Sequence, residues 1–438
     1  MNRNTNARAA ALETLIRCRR DHSWSGAAID SAVRKYGLDR RDAALASRLC
    51  LGVLQNESLC DYYIGCFCPS KLEPVVRDIL RLGAYQLLFL DRIPTRAAVS
   101  ETVELCRLKG LSRAAGLTNA VLRRIAEQCH DLPEIPGVGT AEYLSIRYSH
   151  PKWLCELLIA ERGYPFAEAF LAKNNETPGL CIQVNTLKET TESYTRKLEE
   201  AGYLFHAYEP EGCIELDGGL APALPGFEEG LFYVQDRAAR LAVEIAAPEP
   251  GMRVLDACSC PGGKSFAAAI RMKNRGSILS CDIHEKKLKR LENGAARLGI
   301  EMIGTKAMDA RVFDPALEAA FDLVIADVPC SGLGVIAKKP EIRAKDPATL
   351  RGLPEIQYAI LENLSCYVKP GGGLLYSTCT ILSGENEDVA LRFLKSHPSF
   401  VAEAFSVCGV QSKDGIYTFW PHVDETDGFF AAKFRRTV

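Results

Sequence analysis

Residues 252–264 read MRVLDACSCPGGK, a short apolar run that is followed at once by a glycine-rich turn. Such a run is typical of a buried β-strand, and a helical pattern follows the turn. Three further apolar runs are predicted as strands, with helical segments between them: 277–282, 321–327 and 372–378. The alternation of apolar strands with helices predicts a parallel sheet that is covered on both faces. The chain from about 231 onward is therefore predicted to be an α/β domain.

The chain before this domain shows two other kinds of pattern. Residues 4–128 carry apolar stripes at helical spacing and no alternating strand pattern, which predicts an all-α bundle over 1–130. One such stripe consists of Val76, Leu80, Gly83, Leu87 and Leu90. The Pro- and Gly-rich stretch 131–140 indicates a linker. Residues 141–230 mix helical and strand-like segments, which predicts a small α+β domain.

The composition excludes several classes of protein. The 438 residues are 47 % hydrophobic and 25 % charged, which is ordinary for a soluble chain and unlike a disordered or fibrous one. No apolar run reaches the roughly 18 residues that a membrane span needs. The start, MNRNTNARAA, lacks the apolar core of a secretion signal. The 17 scattered cysteines are therefore expected to be reduced thiols in a cytoplasmic protein.

The charge is distributed unevenly along the chain. The net charge is −2, but residues 1–130 contain 20 Lys and Arg against 13 Asp and Glu, and the remainder carries 33 against 42. A basic first third attached to an acidic remainder indicates an anionic partner for the helical part. A solvated basic face without a partner explains the charge equally well.

Acidic residues end the first two predicted strands: Asp256 precedes the turn Cys258–Lys264, and Asp282 ends the second strand. Ligands of open parallel sheets bind at these carboxyl ends. Asp282 lies 19 residues after Gly263, where an acid is expected to bind ribose hydroxyls. A phosphate-binding P-loop would need glycine in place of Cys258, and no GxGxxG pattern occurs. S-adenosylmethionine, a nucleoside without phosphate, fits these features.

Two cysteines follow the third and fourth predicted strands. Asp327-Val-Pro-Cys330 follows the third strand, and Ser377-Thr-Cys379 ends the fourth. A thiol beside a carboxylate at the ligand-binding edge of a sheet is well placed for covalent catalysis. A single cysteine is more often a buried small hydrophobe, but two at one edge weaken that interpretation. No metal site is expected, because neither CxxC nor HExxH spacing occurs.

These motifs resemble those of the Sun/Fmu family of RNA cytosine-C5 methyltransferases. The family pattern DACAAPGGKT corresponds to DACSCPGGKS at 256–265, and DAPCSG corresponds to DVPCSG at 327–332. Three further family elements match at YSTCTI (376–381), VQD (234–236) and DGFFAAK (427–433). The resemblance implies a Rossmann-like class I methyltransferase fold over 231–438. Residues 1–130 resemble a NusB-type RNA-binding domain, which the family's bacterial small-subunit rRNA enzyme also carries.

The resemblance also implies a role for each site residue. Cys379 is then the nucleophile that adds to carbon 6 of cytosine, Cys330 is the base that removes the carbon-5 proton, and Asp327 binds N3 and the exocyclic amine. Asp282 is expected to bind ribose and Asp309 adenine. The complete implied cofactor set is Cys258, Ser259, Cys260, Pro261, Gly262, Gly263, Lys264, Asp282, Asp309 and Asp327. The departures from the family pattern are conservative, and Cys260 adds a thiol with no evident catalytic use.

The predicted function is therefore methylation of a cytosine in 16S rRNA by a monomer, with S-adenosylmethionine as cofactor. Cytosine 967 is the target that the resemblance implies, although the sequence alone does not identify the nucleotide. Transfer RNA is an alternative substrate, since only the NusB-like domain favours rRNA. Methylation of an exocyclic adenine amine would need an Asn/Asp-Pro-Pro-aromatic loop, which Asp327–Cys330 lacks. A non-catalytic RNA-binding assembly factor is the last alternative, and the intact acids and cysteines argue against it.

Overall fold

The computed structural model describes residues 3–21 and 23–437. The chain divides into two compact units. One contains the residues up to Glu176 together with Ile336–Lys345, and the other contains Thr177–Val335 and the chain from Asp346 onward. The predicted fold class is confirmed, because a helical bundle is followed by a small mixed α+β element and a largely parallel sheet flanked by helices.

The first unit is helical. Its helices are α1 (Arg3–Asp21), α2 (Ser25–Tyr36), α3 (Arg40–Gln55), α4 (Glu57–Phe67), α5 (Pro74–Phe89), α6 (Thr95–Leu108), α7 (Ala115–Glu127), α8 (Ala141–Arg147), α9 (Lys152–Arg162) and α10 (Tyr164–Lys173). The predicted stripe lies on α5, where Val76, Leu80 and Gly83 are buried. A Cβ atom on Gly83 would lie 2.5 Å from a methyl group of Leu122, so glycine permits the close packing of α5 against α7.

The predicted linker 131–140 contains no helix or strand. It nevertheless packs on α4, because Ile135 is buried in one cluster with Leu59 and Tyr63. The Tyr62 hydroxyl also donates a hydrogen bond of 2.6 Å to the Glu134 carbonyl oxygen. The composition predicted the irregular backbone and could not show that an apolar side chain anchors it.

Ile336–Lys345 belongs to the first unit although it follows the predicted catalytic motif in the chain. Its 3-10 turn, Pro340–Ala344, packs beside α3. The Glu341 carboxylate accepts hydrogen bonds from the backbone N–H and the hydroxyl of Ser25, at 2.9 and 3.0 Å. Ser25 is the first residue of α2, so Glu341 satisfies a backbone donor that the helix itself leaves unpaired.

The second unit begins with a small antiparallel sheet. Its strands are β1 (Leu180–Val184), β2 (Phe205–Tyr208), β3 (Cys213–Leu216) and β4 (Phe232–Val234), in the order β2-β3-β1-β4. Helix α11 (Thr191–Glu200) begins where the Thr190 side chain accepts a hydrogen bond from the backbone N–H of Ser193. Tyr194 and Leu198 on this helix are fully buried with Phe232, so helix and sheet share one core.

A larger sheet makes up the rest of the second unit. Its strands are β5 (Arg253–Asp256), β6 (Ser277–Asp282), β7 (Ile303–Ala307), β8 (Phe321–Asp327), β9 (Val368–Thr378), β10 (Phe400–Ala402), β13 (Ile416–Phe419) and β14 (Phe429–Arg436). The order is β10-β14-β9-β8-β5-β6-β7, and β13 pairs with β14. Strands β5 to β9 run parallel to one another, whereas β14 is antiparallel to β9.

Helices flank this sheet as the apolar pattern predicted. They are α12 (Arg237–Ala246), α13 (Gly263–Arg271), α14 (Glu285–Leu298), α15 (Pro347–Leu350), α16 (Leu353–Ser365), α17 (Glu387–Ser396) and α18 (Pro421–Asp424), and a separate hairpin comprises β11 (Phe405–Val407) and β12 (Val410–Ser412). The apolar residues of α14 are buried: Leu288, Leu291, Ala295 and Leu298. The helix is followed by Gly299 as its C-cap, which adopts φ +71°.

The four strands predicted for this sheet are confirmed, but several others had no clear sequence pattern. Strand β7 is an edge strand of mostly exposed residues with Gly304 at its second position, so no apolar run marks it. Strand β9 begins at Val368, four residues earlier than predicted, because its pairing with β8 continues past the turn-like Pro-Gly-Gly through an irregular register. No helix among the described residues has the length and hydropathy that a transmembrane span requires.

Candidate active site

The carboxyl ends of β5, β6, β8 and β9 meet along one edge of the large sheet, around a cavity of about 460 Å³. The predicted site residues that line it are Cys258, Cys260, Asp282, Asp309, Asp327, Cys330 and Cys379. Residues that the sequence did not single out also line it: Ile283, His284, Lys287, Met308, Arg311, Pro329, Ile356 and Ile360. The topology of a parallel sheet therefore brings together side chains that are up to 121 residues apart in sequence.

The glycine-rich turn after β5 is held by hydrogen bonds to β6. The backbone N–H and the hydroxyl of Ser259 both donate to the Cys281 carbonyl oxygen, at 2.8 and 3.0 Å. Gly262 has φ +115°, and a Cβ atom there would lie 2.6 Å from the Phe266 ring. Of the seven predicted turn residues, only Cys258 and Cys260 line the cavity with Asp282; Ser259, Pro261, Gly262, Gly263 and Lys264 shape the turn behind them.

Two acids stand on one side of the cavity with an apolar residue beside them. Asp282 is almost buried and accepts a hydrogen bond of 2.8 Å from the His284 backbone N–H. Asp309 is bound by Arg311 at 2.7 and 3.0 Å, and these hydrogen bonds hold the pKa of its carboxyl below the ordinary value. Ile283 is 55 % exposed between polar neighbours, which offers an apolar contact for a flat ligand.

Asp327 lies at the end of β8 and both of its carboxylate oxygens are bound. Lys264 Nζ approaches Oδ2 at 2.7 Å, and the Ser377 hydroxyl donates to Oδ1 at 2.9 Å. Lys264 is nearly buried and its ammonium also lies 4.9 Å from the centre of the Phe429 ring. The carboxylate is therefore held in one orientation by residues from two different chain segments, the turn after β5 and the end of β9.

The two predicted catalytic cysteines are in contact. The sulfur atoms of Cys330 and Cys379 are 3.1 Å apart, and no disulfide occurs among the described residues. The pKa of Cys330 is well above the ordinary value, first because its thiol hydrogen-bonds to Cys379 and second because it is buried. The two sulfur atoms therefore lie within hydrogen-bonding distance, and this contact makes the Cys330 thiol harder to deprotonate.

The other two thiols of the cavity, Cys258 and Cys260, are weakly acidic. Burial raises the pKa of Cys258 far above the ordinary value and raises that of Cys260 to about 11. The neighbouring Asp282 carboxylate also raises the pKa of Cys260. Both side chains therefore remain protonated near neutral pH, unlike a thiolate nucleophile.

Asp256, at the end of β5, is the most deeply buried acid of the site. Burial raises the pKa of its carboxyl to about 7, although the Ser265 hydroxyl donates a 2.6 Å hydrogen bond to Oδ2. Its Oδ1 atom has no hydrogen-bond partner among the described residues. A buried carboxyl oxygen without a partner is unfavourable, so the site is built to receive a donor or to keep this acid protonated.

Comparisons with known proteins are consistent across the whole chain. Residues 243–435 match the family model "16S rRNA methyltransferase RsmB/F", residues 5–127 match the NusB family, and residues 150–221 match the RsmF/B-like ferredoxin-like domain.

Individual relatives match over almost their full length. The chain is 33 % identical to a probable ribosomal RNA small subunit methyltransferase B of Bacillus subtilis, over 99 % of both chains. It is 32 % identical to ribosomal RNA small subunit methyltransferase B of Erwinia tasmaniensis, also over 99 % of both. The crystal structure of PH0851 superimposes with a TM-score of 0.83 at 27 % identity and covers 99 % of each chain.

Proposed function

Because the chain belongs to the 16S rRNA methyltransferase RsmB/F family, whose members use S-adenosylmethionine, we propose that it methylates carbon 5 of a cytosine in small-subunit ribosomal RNA. The observation that carries the choice of carbon 5 is the 3.1 Å approach of the Cys330 and Cys379 sulfur atoms. Methylation at carbon 5 requires a nucleophile on carbon 6, whereas methylation of an exocyclic amine has no use for a thiol. We propose cytosine 967 as the target nucleotide.

The residues of the cavity fit S-adenosylmethionine. A volume of about 460 Å³ falls in the usual range for small-molecule sites. Asp282 is available for ribose hydroxyls, Ile283 for one face of the adenine and Asp309 for its amine. When bound, the cofactor supplies a methyl group activated by a sulfonium.

Cys379 is the proposed nucleophile. Carbon 5 of cytosine is too weakly nucleophilic to accept a methyl group unaided, and addition of a thiolate to carbon 6 makes it enamine-like. The two sulfur atoms lie 3.1 Å apart, and a hydrogen bond donated by the Cys330 thiol would stabilise a thiolate on Cys379. The backbone carbonyl of Cys379 accepts a 3.0 Å hydrogen bond from the Gly334 N–H, which orients the loop that carries it.

Cys330 is the proposed base for the second half of the reaction. In the resting site, the hydrogen bond with Cys379, burial and the charge of Cys379 all raise the pKa of the Cys330 thiol. That charge disappears when the Cys379–carbon 6 bond forms, so Cys330 can release its proton to solvent. The Cys330 thiolate then takes the proton from carbon 5, the carbon 5–carbon 6 double bond re-forms and Cys379 leaves as a thiolate.

Asp327 and Lys264 are proposed to hold the base. A carboxylate at this position accepts a hydrogen bond from the exocyclic amine. It also accepts one from N3 once N3 takes a proton from solvent during attack at carbon 6, and N3 returns this proton to solvent when Cys379 leaves. Lys264 holds the Asp327 carboxylate in place through their 2.7 Å contact. The target cytosine has to be unpaired or flipped out to reach these groups.

We also propose three domains: a NusB-like RNA-binding domain over 1–130, a small α+β domain over 141–230 and the methyltransferase domain over 231–438. The family matches over 5–127, 150–221 and 243–435 support this division. The protein is proposed to act on RNA as a cytoplasmic monomer. Transfer RNA stays the alternative substrate, and the NusB match favours ribosomal RNA over it.

The test uses labelled S-adenosylmethionine and small-subunit ribosomal RNA with wild type, Cys379→Ala, Cys330→Ala and the exposed control Cys366→Ala. Wild type and the control should transfer the label. Cys379→Ala should give neither transfer nor a denaturation-resistant protein–RNA band, whereas Cys330→Ala should give a trapped band.

Other outcomes would revise the proposal in defined ways. A trapped band in Cys379→Ala instead would exchange the two cysteine roles. Transfer to transfer RNA in preference to ribosomal RNA would select the alternative substrate. Binding of RNA without any transfer by wild type would support a non-catalytic factor.

A further inference from the structure

Glu385 and Asn386 form one buried turn just before α17, and neither residue lines the cavity. Both side chains nevertheless reach the loops that carry the two cysteines. Polar side chains this deeply buried are retained only where their hydrogen bonds offset the loss of solvation.

The Glu385 side chain holds the loop of Cys330. Its Oε2 atom accepts hydrogen bonds from the backbone N–H of Ser331 at 2.9 Å and from Gln357 Nε2 at 2.7 Å. The same Gln357 nitrogen donates to the Pro329 carbonyl oxygen at 3.1 Å. The residues immediately before and after Cys330 are thus bound by one carboxylate–amide pair.

The Asn386 side chain holds the loop of Cys379. Its Oδ1 atom accepts from the Thr378 hydroxyl at 2.6 Å, and its Nδ2 atom donates to the Thr380 carbonyl oxygen at 3.0 Å. The residues on both sides of Cys379 are therefore bound by one amide. The two loops also meet directly, since the Ser331 and Thr380 hydroxyls are 2.6 Å apart.

We propose that Glu385 and Asn386 are positioning residues, one for each catalytic cysteine, and that their turn sets the separation of the two sulfur atoms. This inference rests on the cysteine roles proposed above. Covalent catalysis tolerates displacements of only about 0.5 Å in such groups. Two loops at strand ends do not have that precision by themselves, and a single turn that binds both removes their independent motion.

The burial of a charge at Glu385 supports this role. Glu385 is 2 % exposed, and its Oε1 atom has no hydrogen-bond partner among the described residues. The pKa of Cys330 is raised mainly by its hydrogen bond with Cys379 and by burial. The charge of Glu385 contributes a smaller part of the same shift. Hydrogen bonds to a carboxylate are stronger than those to a neutral acceptor, so the two bonds at Oε2 help to offset the cost of burying this side chain.

The test compares Glu385→Ala and Asn386→Ala with a control, Asp388→Ala, which changes an exposed acid on α17, the helix that follows the turn. Each turn variant should lower kcat on the order of 10- to 100-fold with nearly unchanged KM for cofactor and RNA. Glu385→Ala should accumulate the protein–RNA band, as expected of Cys330→Ala, and Asn386→Ala should not. Glu385→Gln should recover part of the rate, because an amide oxygen can accept the same two hydrogen bonds.

A second readout depends on geometry and not on catalysis. Phenylarsine oxide bridges two adjacent thiols: two As–S bonds form, and its oxygen leaves as water with both thiol protons. Peptide mapping should show fast bridging of Cys330 to Cys379 in wild type and in Asp388→Ala, and slower bridging in both turn variants. Where an alanine variant fails to fold, Glu385→Gln and Asn386→Asp replace it.

Unchanged bridging together with unchanged kcat in the turn variants would overturn the positioning role. Suppose instead that the wild-type protein transfers no methyl group but bridging is slower in the turn variants. This result would support the positioning role and refute the proposed function. The two failures are therefore distinguishable.

Discussion

Lys264 and Asp327 form an ion pair of 2.7 Å between the glycine-rich turn after β5 and the end of β8. The turn was predicted as a cofactor element and the acid as a catalytic residue, so the pair joins the two halves of the site. Lys264 is nearly buried and Asp327 is about one-third exposed. The ammonium therefore acts mainly on the orientation of this carboxylate.

Replacement of Lys264 should affect the reaction more than cofactor binding. Lys264→Met removes the ion pair of Asp327 and leaves its hydrogen bond with the Ser377 hydroxyl, so we expect methyl transfer to fall about 100-fold. Lys264→Arg keeps the positive charge, so its rate of methyl transfer should fall less than that of Lys264→Met. Single-turnover transfer rates and titration with the cofactor check this; a wild-type rate in Lys264→Met would contradict it.

Asp256 should make the stability of the cofactor-free protein depend on pH. Its folded pKa of about 7 exceeds the unfolded value of 3.8, so between these values the folded state retains a proton that the unfolded chain has lost. This contribution to stability is complete at low pH and is lost as the pH rises toward 7, by up to about 1.4 kcal/mol per pH unit.

Urea unfolding of wild type and Asp256→Asn between about pH 5 and pH 7 measures this contribution. The difference between the two slopes isolates Asp256, because other titrating groups are common to both proteins. Equal slopes would show that the Asp256 carboxyl is ionised throughout the range.

Gly262 should not tolerate a side chain. Its φ of +115° disfavours any L-residue, and a Cβ atom would lie 2.6 Å from Phe266 and 2.9 Å from Leu291. Gly262→Ala should therefore displace the turn, at a cost of about 1–3 kcal/mol, and weaken cofactor binding. Gly304→Ala on β7 is the control, since nothing lies within 4 Å of its Cβ position. Calorimetric titration with S-adenosylmethionine tests both; tight binding by Gly262→Ala would exclude the role of the turn.

Arg343 should be important for the stability of the first unit. It donates hydrogen bonds to the carbonyl oxygens of Gln55, Tyr148, Ser149 and Asn174 and to the Asn175 side chain. Burial lowers its pKa to about 9, so it is still charged at neutral pH. Arg343→Met should lower the free energy of unfolding by about 2–4 kcal/mol, because it leaves buried acceptors unpaired. The exposed Arg351→Met is the control in urea unfolding, and similar values for both would contradict the prediction.

RNA affinity should depend on the exposed arginines of α7. Arg123→Glu and Arg124→Glu should weaken RNA binding. Each should also reduce the slope of log affinity against log salt concentration by about 1, the loss expected for one phosphate contact. Deletion of 1–130 is a poorer test, because it also removes Ser25 and Gln55, which bind Glu341 and Ala337. Lys413→Glu, at the exposed residue that follows β12, is a matched charge change as control. A salt slope in both α7 variants equal to that of wild type would remove α7 from the RNA site.

Local sequence patterns determined the main strands and the residues at their ends. The apolar runs that end at Asp256, Asp282 and Asp327 specify buried parallel strands, and acids at such ends converge because parallel strands share one carboxyl edge. The stripe on α5 is of the same kind, since an amphipathic period is a property of neighbouring residues.

Only the tertiary structure determined which side chains meet. The contact between Cys330 and Cys379, and the pairing of Lys264 with Asp327, depend on loop conformations and rotamers that no local pattern encodes. Glu385, in an acidic stretch that resembles a solvated loop, is buried because it binds a loop 54 residues away. Ile336–Lys345 packs with the helical unit for the same reason: hydrogen bonds between distant segments stabilise it, and sequence separation hides them.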